Sequence, residues 1–314
     1  MNILGIDIGG TKCAVVWGNE NGEIIKKEKF ATTDCNSTIA KLLEIAKTDL
    51  NFEAIGISCG GPLDSEKGII KSPPNLPGWD NIEIVNILKT EFGVPVFLKN
   101  DADACALAEW KYGAGKGTQH MLFLTFGTGL GAGLILGGRL YSGACDMAGE
   151  VGHIRLSDFG PVGYGKAGSF EGFCSGGGIA QLAKSYVMEE IQMGKAPSIC
   201  PTMEELNTLT AEKVCVAARE GDVLAKKIIS KCGQMLGVGL SIVMDILNPE
   251  KIVIGSVFTR ARDLLWPEAE KVILEETLEY TRGVCEVVPC GLTESVGDIA
   301  ALTVADYYFT RTQE

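Results

Sequence analysis

Short apolar runs alternate with glycine-rich and polar turns along the first third of the chain. Apolar or alternating runs bounded by Gly, Asn, Asp or Pro are typical of strands, and apolar residues at helical spacing are typical of helices. These patterns predict, in order, strands over 3–7, 13–17 and 23–30, a helix over 37–50, a strand over 54–58, a helix over 82–92, a strand over 96–98 and a helix over 102–112. The chain is therefore expected to be of the α/β class.

The same arrangement starts again roughly one hundred residues further on. Strands over 121–126, 132–136 and 139–141 are joined by glycine turns, as the opening strands are. The rest is mostly helical: the pattern predicts helices over 177–193, 210–217 and 222–247, a strand over 251–254 and a final helix over 296–308. A single duplication of this length predicts two similar lobes and excludes a short-period repeat array.

Glycines at 113, 115 and 117 mark the predicted boundary between the lobes. We expect an N-terminal lobe over 1–116 and a C-terminal lobe over 117–296, with a terminal helix over 297–314 packing back on the first lobe.

The uncharged stretch over 121–138 is about as long as a short membrane-spanning helix. Its many glycines destabilise a helix and suit strands and turns, so no membrane span is expected there.

The acidic composition limits the possible partners. The 314 residues carry a formal net charge of -12 at pH 7, and the sequence pI is 4.8. Nucleic acids and anionic membrane surfaces would be repelled, so neither is expected as a partner. The 11 cysteines form no CxxC pair, and Asp7 interrupts the apolar N-terminus before a signal peptide forms. These features predict a protein of the reducing cytoplasm.

Two glycine turns are candidates for phosphate binding. The first, over residues 7–12, reads Asp-Ile-Gly-Gly-Thr-Lys, and the second, over 127–131, reads Gly-Thr-Gly-Leu-Gly. Glycines let backbone N–H groups approach an anion, and Asp7 is placed to orient a Mg²⁺-bound water. Neither turn is a Walker A loop or a dinucleotide fingerprint, because the required Lys-Ser/Thr pair and following helix are missing. The alternative for each is an ordinary tight hairpin.

A carboxylate between a predicted strand and a predicted helix is the candidate base. Phosphoryl transfer to an alcohol needs a group that accepts the hydroxyl proton, and Asp101 is placed for that role. Asp and Asn before a helix also cap its first N–H groups, so capping remains the alternative for Asp101. For Asp103 we favour capping.

A second polar cluster contains Glu150, His153 and Glu171. Carboxylate and imidazole groups suit the hydroxyls of a sugar, although an isolated His is more often structural. Cys145 and Cys174 lie at spacings that no usual zinc site has.

Taken together, these segments resemble the ROK family (repressor, open reading frame, kinase) of bacterial sugar kinases. The resemblance covers nearly the whole chain and rests on the order and spacing of five motifs: residues 5–12, 100–103, 127–133, 149–153, and 248–250 with 252–256.

The resemblance implies a duplicated, actin-like ATPase (ribonuclease H-like) fold with two lobes and a central cleft. It implies an ATP-dependent, glucokinase-like hexose kinase that uses ATP and Mg²⁺, with Asp101 as the general base. Sugar-binding roles fall on Gly60, Gly61, Asn75, Asn100, Glu150, His153 and Glu171. Nucleotide-binding roles fall on Asp7, Gly9, Gly10, Thr11, Lys12, Thr128, Gly129, Gly255 and Ser256.

The sequence departs from the family pattern at the zinc motif, Cys-x-Cys-Gly-x-x-Gly-Cys-x-Glu. The corresponding residues 162–171 keep the glycines and Glu171, but Val162, Tyr164 and Ser169 occupy the cysteine positions. We therefore expect no zinc site, with packing by Tyr164 and Phe170 supporting His153 instead. Asp103 stands where Asn is usual, and Ser256 where Gly is usual.

Three alternatives stay open. A family repressor would carry an N-terminal helix-turn-helix, for which the chain leaves no room before its first strand, and its acidity suits DNA poorly. A catalytically silent sugar-binding regulator is disfavoured by the intact Asp101 and glycine turns. A kinase acting on a small acid is disfavoured by the carboxylates Glu150 and Glu171. Glucose is the first expectation among hexoses and N-acetylhexosamines, and a homodimer is the expected assembly.

Overall fold

A computed structural model describes residues 1–311, with residue 294 described by its backbone alone. The strands of the first half are β1 (Asn2–Ile8), β2 (Lys12–Asn19), β3 (Ile24–Ala31), β4 (Ala54–Cys59), β5 (Leu63–Asp64), β6 (Ile69–Ile70) and β7 (Val96–Asn100). Its helices are α1 (Cys35–Ala46), α2 (Ile84–Phe92) and α3 (Asp101–Tyr112). The predicted strands and helices of this half are confirmed, although α1 ends at Ala46 and not at residue 50.

The strands of the second half are β8 (Met121–Leu124), β9 (Ala132–Leu136), β10 (Arg139–Tyr141), β11 (Val162–Gly163), β12 (Lys166–Ala167), β13 (Lys251–Ile254) and β14 (Glu286–Pro289). Its α-helices are α4 (Phe170–Phe173), α5 (Gly176–Gln192), α6 (Ala211–Arg219), α7 (Val223–Leu247), α8 (Val257–Glu276), α9 (Glu279–Val284) and α10 (Val296–Arg311). Short 3₁₀ helices cover Val151–His153, Glu204–Thr208 and Thr293–Ser295.

Two five-stranded sheets organise the chain, in the orders β3-β2-β1-β4-β7 and β10-β9-β8-β13-β14. In the first sheet β1 pairs antiparallel with β2 and parallel with β4, and β4 pairs parallel with β7. The strands β1, β4 and β7 therefore all end at the same edge of the sheet. In an open α/β sheet this carboxyl edge is where ligands bind.

The chain divides into two compact units. Among the described residues, the first contains 1–123, 133–148 and 291–311, and the second contains 124–132 and 149–290. Whether these units are the two predicted lobes, and whether a cleft lies between them, stays a prediction.

Within the first unit, α10 packs on β1 and β4. Glycines in the two strands allow this close approach: a Cβ at Gly56 would collide with the carbonyl oxygen of Ala301, and a Cβ at Gly5 would lie 3.1 Å from the Leu302 nitrogen. The opposite face of the sheet packs on α1 and α2 through buried side chains such as Ile6, Leu42 and Leu88. The sheet is thus covered on both faces, which leaves its carboxyl edge for chemistry.

Helices dominate the second unit, where α7 packs against α5, α6 and α8. By length and composition alone α7 could cross a membrane, but 67% of its most apolar window is buried in the protein, as in a core helix. The sequence pattern missed α8 because Pro267 lies inside it and the backbone is non-helical at Ala261. Proline and a kink disrupt the regular spacing on which a helix prediction depends.

Candidate active site

The carboxyl ends of three parallel strands bring together the predicted residues of the first unit. The Gly9-Gly10 turn follows β1, the Gly60-Gly61 loop follows β4, and Asn100-Asp101 follows β7. Asn75 lies among them: a Cβ at Gly60 would be 3.4 Å from its Nδ2, and a Cβ at Gly10 would collide with its carbonyl oxygen. Glycine is needed at position 10 because the Asn75 backbone passes so close, whereas a Cβ at Gly60 would make only an ordinary van der Waals contact.

Asn100 joins the same group. A Cβ at Gly61 would lie 3.0 Å from the Asn100 Nδ2 atom. Its Oδ1 accepts the N–H of Ala102 at 2.9 Å and so caps α3. Because the oxygen is used for capping, the amide nitrogen is the group that faces the Gly61 loop.

Asp101 is the first residue of α3 and its side chain is accessible to solvent. Its Oδ1 accepts the Ala102 N–H at 2.8 Å. The surrounding protein limits hydration of this carboxylate and raises its pKa above the usual value for aspartate. The residue therefore combines a local hydrogen bond at the helix start with the properties of an accessible base.

The capping interpretation of Asp103 was wrong. This side chain is 3% exposed and its Oδ2 accepts the hydroxyl of Ser142 at 2.7 Å. Burial raises the pKa of Asp103 to about 7, although Ser142 and Lys99 oppose the shift. Asn100 and Asp101 bind the first-turn N–H group, so Asp103 is free for a tertiary role.

Asp7, near the end of β1, is half-buried. Burial raises the pKa of Asp7 to about 7, and the charges of Asp101 and Asp298 add to the shift, against Lys29 and a hydrogen bond from Ser58. A carboxylate that is poorly hydrated and close to other carboxylates is suited to meet a cation. The charge of Asp101 thus contributes to the raised pKa of Asp7.

The first glycine turn is closed by its own backbone. The Gly9 N–H donates to the Lys12 carbonyl at 3.2 Å, and the Thr32 hydroxyl donates to the Gly9 carbonyl at 2.6 Å. The side chains of Thr11 and Lys12 are exposed. A hydroxyl and a cation are therefore presented on a rigid turn.

The second glycine turn is held by a different set of bonds. Gly127 N–H donates to the Gly129 carbonyl at 2.9 Å, and Gly131 N–H donates to Thr125 Oγ1 at 2.9 Å. The Leu130 N–H donates to Glu171 Oε2 at 3.0 Å. This last bond ties the turn to a residue predicted to bind sugar.

A pocket of about 670 Å³ opens beside this turn within the second unit. Its lining includes Gly127, Thr128, Gly176, Gly177, Ser256 and Arg260. The volume is in the range of small-molecule sites, and glycine backbone with two arginines, Arg219 and Arg260, suits an anionic ligand such as a nucleotide. Gly129 and Gly255 adjoin this lining in sequence.

Sequence reasoning missed Gly176, Gly177 and Arg260. The glycine run over 176–178 at the start of a predicted helix was the available signal, since a helix N-terminus favours anions. Arg260 gave no signal, because it lies in α8, which was not predicted.

The remaining predicted sugar-binding residues surround Gly152. A Cβ at Gly152 would collide with the Leu130 carbonyl and lie 3.3 Å from the Glu171 Cβ. Glu150 and His153 flank this glycine on the 3₁₀ turn and are exposed. Glu171, in the first turn of α4, is therefore brought next to the turn that carries His153.

A small hairpin occupies the stretch that corresponds to the zinc motif. The Tyr164 ring meets the His153 ring edge to face, with centroids 6.2 Å apart, and Lys166 Nζ donates to the His153 carbonyl at 2.7 Å. Phe170 is fully buried and its N–H donates to the Ile154 carbonyl at 2.8 Å. Within residues 1–311 the structure shows no group of three His, Cys, Asp or Glu side chains that could hold a metal ion.

Comparison with known proteins places the chain in context. The model described as the ROK family matches residues 3–306. A glucokinase of Thermotoga maritima is 30% identical over 311 residues, covering 97% of this chain and 97% of the relative.

Two solved structures are also similar. A ROK family glucokinase from Streptomyces griseus, in complex with glucose and AMPPNP, has a TM-score of 0.79 at 26% identity and covers 98% of this chain and 100% of that one. A ROK family transcriptional regulator, described as a homolog of the E. coli MLC protein, has a TM-score of 0.84 at 28% identity and covers 96% of this chain and 77% of that one. The predicted actin-like α/β fold is confirmed by these neighbours, and the chain belongs to the ROK family.

Proposed function

We propose that this protein is an ATP-dependent sugar kinase that transfers the γ-phosphoryl group of ATP to a hydroxyl of a hexose. The observation that carries the proposal is Asp101, an accessible carboxylate with a raised pKa at the carboxyl edge of the first sheet. Amide side chains suited to sugar hydroxyls, Asn75 and Asn100, line the same edge. The glucokinases among the relatives support the same reaction class.

Asp101 is assigned the role of general base. As the O–P bond forms, the acceptor hydroxyl must lose its proton, and a carboxylate within hydrogen-bond reach accepts it. A raised pKa makes this carboxylate a stronger proton acceptor than an aspartate with the usual pKa. The phosphoryl group itself needs positioning and charge stabilisation more than covalent chemistry.

Residues of both units are assigned to sugar hydroxyls. Asn75, Asn100 and the Gly60-Gly61 backbone offer donors and acceptors in the first unit. Glu150, His153 and Glu171 offer them in the second. Two of these three are carboxylates, which favours a neutral acceptor over an acidic one.

The nucleotide is assigned to the pocket of about 670 Å³ in the second unit, with Thr128, Gly129, Gly255 and Ser256 at or beside its lining. In the first unit Gly9, Gly10, Thr11 and Lys12 are assigned to phosphates, and Asp7 to the metal or a water bound to it. When bound, ATP supplies the phosphoryl group, and Mg²⁺ neutralises phosphate charge. Oxygen ligands such as the Asp7 carboxylate are those that Mg²⁺ prefers.

Glucose is the proposed first substrate, because the enzyme relatives above are glucokinases.

We also propose a cytoplasmic location. All 11 cysteines are free thiols in the described residues 1–311, and 8 of them are buried, which fits a reducing compartment.

The likeness to a transcriptional regulator favours one second candidate, a sugar-binding regulator without turnover. That candidate predicts sugar binding with no ADP release. It does not need a base at position 101 or a nucleotide pocket in the second unit.

A coupled ADP-release assay across a panel of hexoses and N-acetylhexosamines, with ATP and Mg²⁺, tests the proposal. We expect turnover with glucose or a close relative, dependent on both ATP and Mg²⁺. Calorimetric titration with the same sugars runs in parallel. Sugar binding without turnover for every member of the panel would support the regulator and contradict the kinase.

A further inference from the structure

A buried lysine lies two positions before the proposed base and has no role in the function proposed above. The Lys99 side chain is 8% exposed. Its ammonium donates to Ser65 Oγ at 2.8 Å, Asp146 Oδ1 at 3.1 Å and Ser142 Oγ at 3.2 Å. These contacts use the three protons of the ammonium, so the group is fully bonded without water.

The contacts continue into a network. The Ser65 N–H and hydroxyl donate to the two oxygens of Asp146 at 2.8 and 2.7 Å. The Ser142 hydroxyl donates to Asp103 at 2.7 Å. We call Ser65, Lys99, Asp103, Ser142 and Asp146 the Lys99 network; all five lie in the first unit.

The charges of the network hold one another in place. Burial lowers the pKa of Lys99, but Tyr308, Asp146 and Asp103 outweigh burial and the pKa is raised. Burial raises the pKa of Asp146, but the bonds from Ser65 and Lys99 outweigh it and the pKa is lowered. Lys99 and Asp146 therefore remain an ion pair at neutral pH.

The buried Lys99–Asp146 ion pair is not explained by protein stability alone. Buried ion pairs are seldom more stabilising than apolar side chains of similar volume. Asp146 also has a φ of 58°, in the left-handed region that most residues with a Cβ avoid and that Asp and Asn enter more readily. A buried ion pair at such a backbone position is a reason to look for a functional role.

The network joins segments that lead to proposed site residues. Lys99 and Asp103 stand two positions before and two positions after Asp101. Ser65 follows the Gly60-Gly61 loop, and Ser142 and Asp146 lie in the segment that runs on to Glu150. One ion pair therefore fixes the start of α3 against two neighbouring loops.

Lys99 affects the proposed site only by holding the start of α3 in place. Successive side chains of a strand point to opposite faces, so Lys99 in β7 points away from the face that carries Asn100. Its ammonium is occupied by the network.

We propose that Lys99 is a positioning residue for phosphoryl transfer, and that its buried pair with Asp146 holds the β7–α3 junction, with Asn100 and Asp101, in the geometry that the acceptor hydroxyl requires. The inference rests on the proposed kinase function. Small displacements of a reacting group reduce rates strongly, because effective concentration depends on alignment.

The test removes both charges together. The Lys99→Met/Asp146→Asn variant leaves neither member of the ion pair without its partner, Asp103 keeps the hydrogen bond from Ser142, and Asn tolerates the left-handed backbone. The matched control is Lys71→Met/Asp64→Asn, which removes a more exposed pair of the same unit. Thermal unfolding establishes that each variant is folded.

We expect the network variant to lose roughly ten- to a hundredfold in kcat, with the KM for ATP within about twofold of wild type. Amide hydrogen exchange over residues 98–106 should quicken about tenfold, with the helices of the second unit unchanged. The control variant should match wild type in both measurements. A folded network variant with wild-type kcat, or with wild-type exchange over 98–106, would overturn the proposal.

Two further readouts separate the possible failures. If wild type turns over no hexose, the kinase proposal fails, and hydrogen exchange alone decides whether the pair holds the junction. If the double variant does not fold, Asp146→Asn replaces it, because Lys99 then keeps its two serine partners. Wild-type exchange in that variant would equally reject the inference.

Discussion

The two glycine turns look alike in sequence but have different surroundings. The first, at Gly9-Gly10, lies in a unit where burial raises the pKa of Asp7 and of Asp101, and the charge of Asp101 adds to the shift of Asp7. The second, at Gly127-Gly131, borders an open pocket of about 670 Å³ and is bonded to Glu171. One turn is thus associated with proton and cation chemistry, and the other with space for a ligand.

This difference teaches that a duplicated backbone pattern does not duplicate a chemical role. In both turns a glycine lets another segment of the chain come close, but that segment differs between the turns. At Gly10 it is the backbone of Asn75, whereas at Gly129 it is the flexible carboxylate of Glu171. Five predictions test the contrast, from the largest effect to the smallest.

The first prediction removes the carboxylate of Asp101. Asp101→Asn keeps the acceptor oxygen for the Ala102 N–H but cannot take the hydroxyl proton, so kcat should fall about a thousandfold. The KM values for sugar and ATP should stay within about threefold, because binding is not removed. Steady-state kinetics measures both, with the exposed Asp49→Asn as control. Activity within about tenfold of wild type would remove Asp101 from its role.

The second prediction compares the turns directly. Gly10→Ala forces apart two backbone segments and should lower kcat/KM about a hundredfold, whereas Gly129→Ala displaces only a side chain, 2.7 Å from its Cβ, and should cost about tenfold, mainly in the KM for sugar. Gly283→Ala is the control, since no atom lies within 4 Å of its Cβ. Equal losses at Gly10 and Gly129 would show that the turns do not differ as described.

The third prediction fills the pocket of the second unit. Ala180 lines it from α5, so Ala180→Trp should raise the KM for ATP about tenfold by occupying ligand volume. The KM for sugar should not change. Ser185→Trp, at an exposed position of the same helix, is the control. An unaltered KM for ATP in the folded Ala180 variant would place the nucleotide elsewhere.

The fourth prediction concerns the hairpin beside His153. Tyr164→Ala removes the ring that contacts the imidazole and should raise the KM for sugar roughly three- to fivefold. Tyr164→Phe keeps the ring and should behave as wild type. Phe159→Ala, which truncates an 85% exposed ring nearby, should have no effect. An unchanged KM in Tyr164→Ala would mean that His153 needs no such support.

The fifth prediction uses the pKa of Asp7, raised to about 7. The unfolded chain releases this proton near pH 4, so between about pH 4 and 7 the folded protein binds more protons. Its free energy of unfolding therefore falls as pH rises through that window and levels off above it. Asp7→Asn removes this contribution.

Thermal unfolding from acid to neutral pH measures the effect of Asp7. The Tm of Asp7→Asn minus that of wild type should increase by a few degrees, roughly 2–6 °C, as pH rises to 7.5. Asp103 titrates in the same window in both proteins and cancels in the difference. A difference that is constant with pH would show that Asp7 is ionised throughout.

Much of the first unit's site was predictable because it depends on local pattern. Buried apolar runs over β1, β4 and β7 predict strands, and polar residues after each predict a shared edge once the strands are parallel. The helix start at Asp101 follows from the Asn and Asp residues that precede α3's apolar positions. The actin-like fold came from the resemblance of these motifs, not from their spacing alone.

Long-range partners were not predictable in this way. Lys99 and Asp146 are 47 positions apart, and nothing local to either residue identifies the other as its partner. The misinterpretation of Asp103 has the same cause, because its partner Ser142 is 39 positions away. Arg260 was missed because the kink and Pro267 conceal α8.

By itself the sequence determined the main strands and helices of the first unit, the two glycine turns, the candidate base and the loss of the cysteine positions over 162–171. Backbone geometry dictates these features residue by residue, through glycine, proline and apolar spacing. Only the tertiary structure decided which carboxylates are poorly hydrated and which pocket adjoins Thr128. It also decided that Lys99, two positions before Asp101, forms an ion pair with Asp146. Hydration and ion pairing depend on atoms brought from distant parts of the chain, and packing alone brings them together.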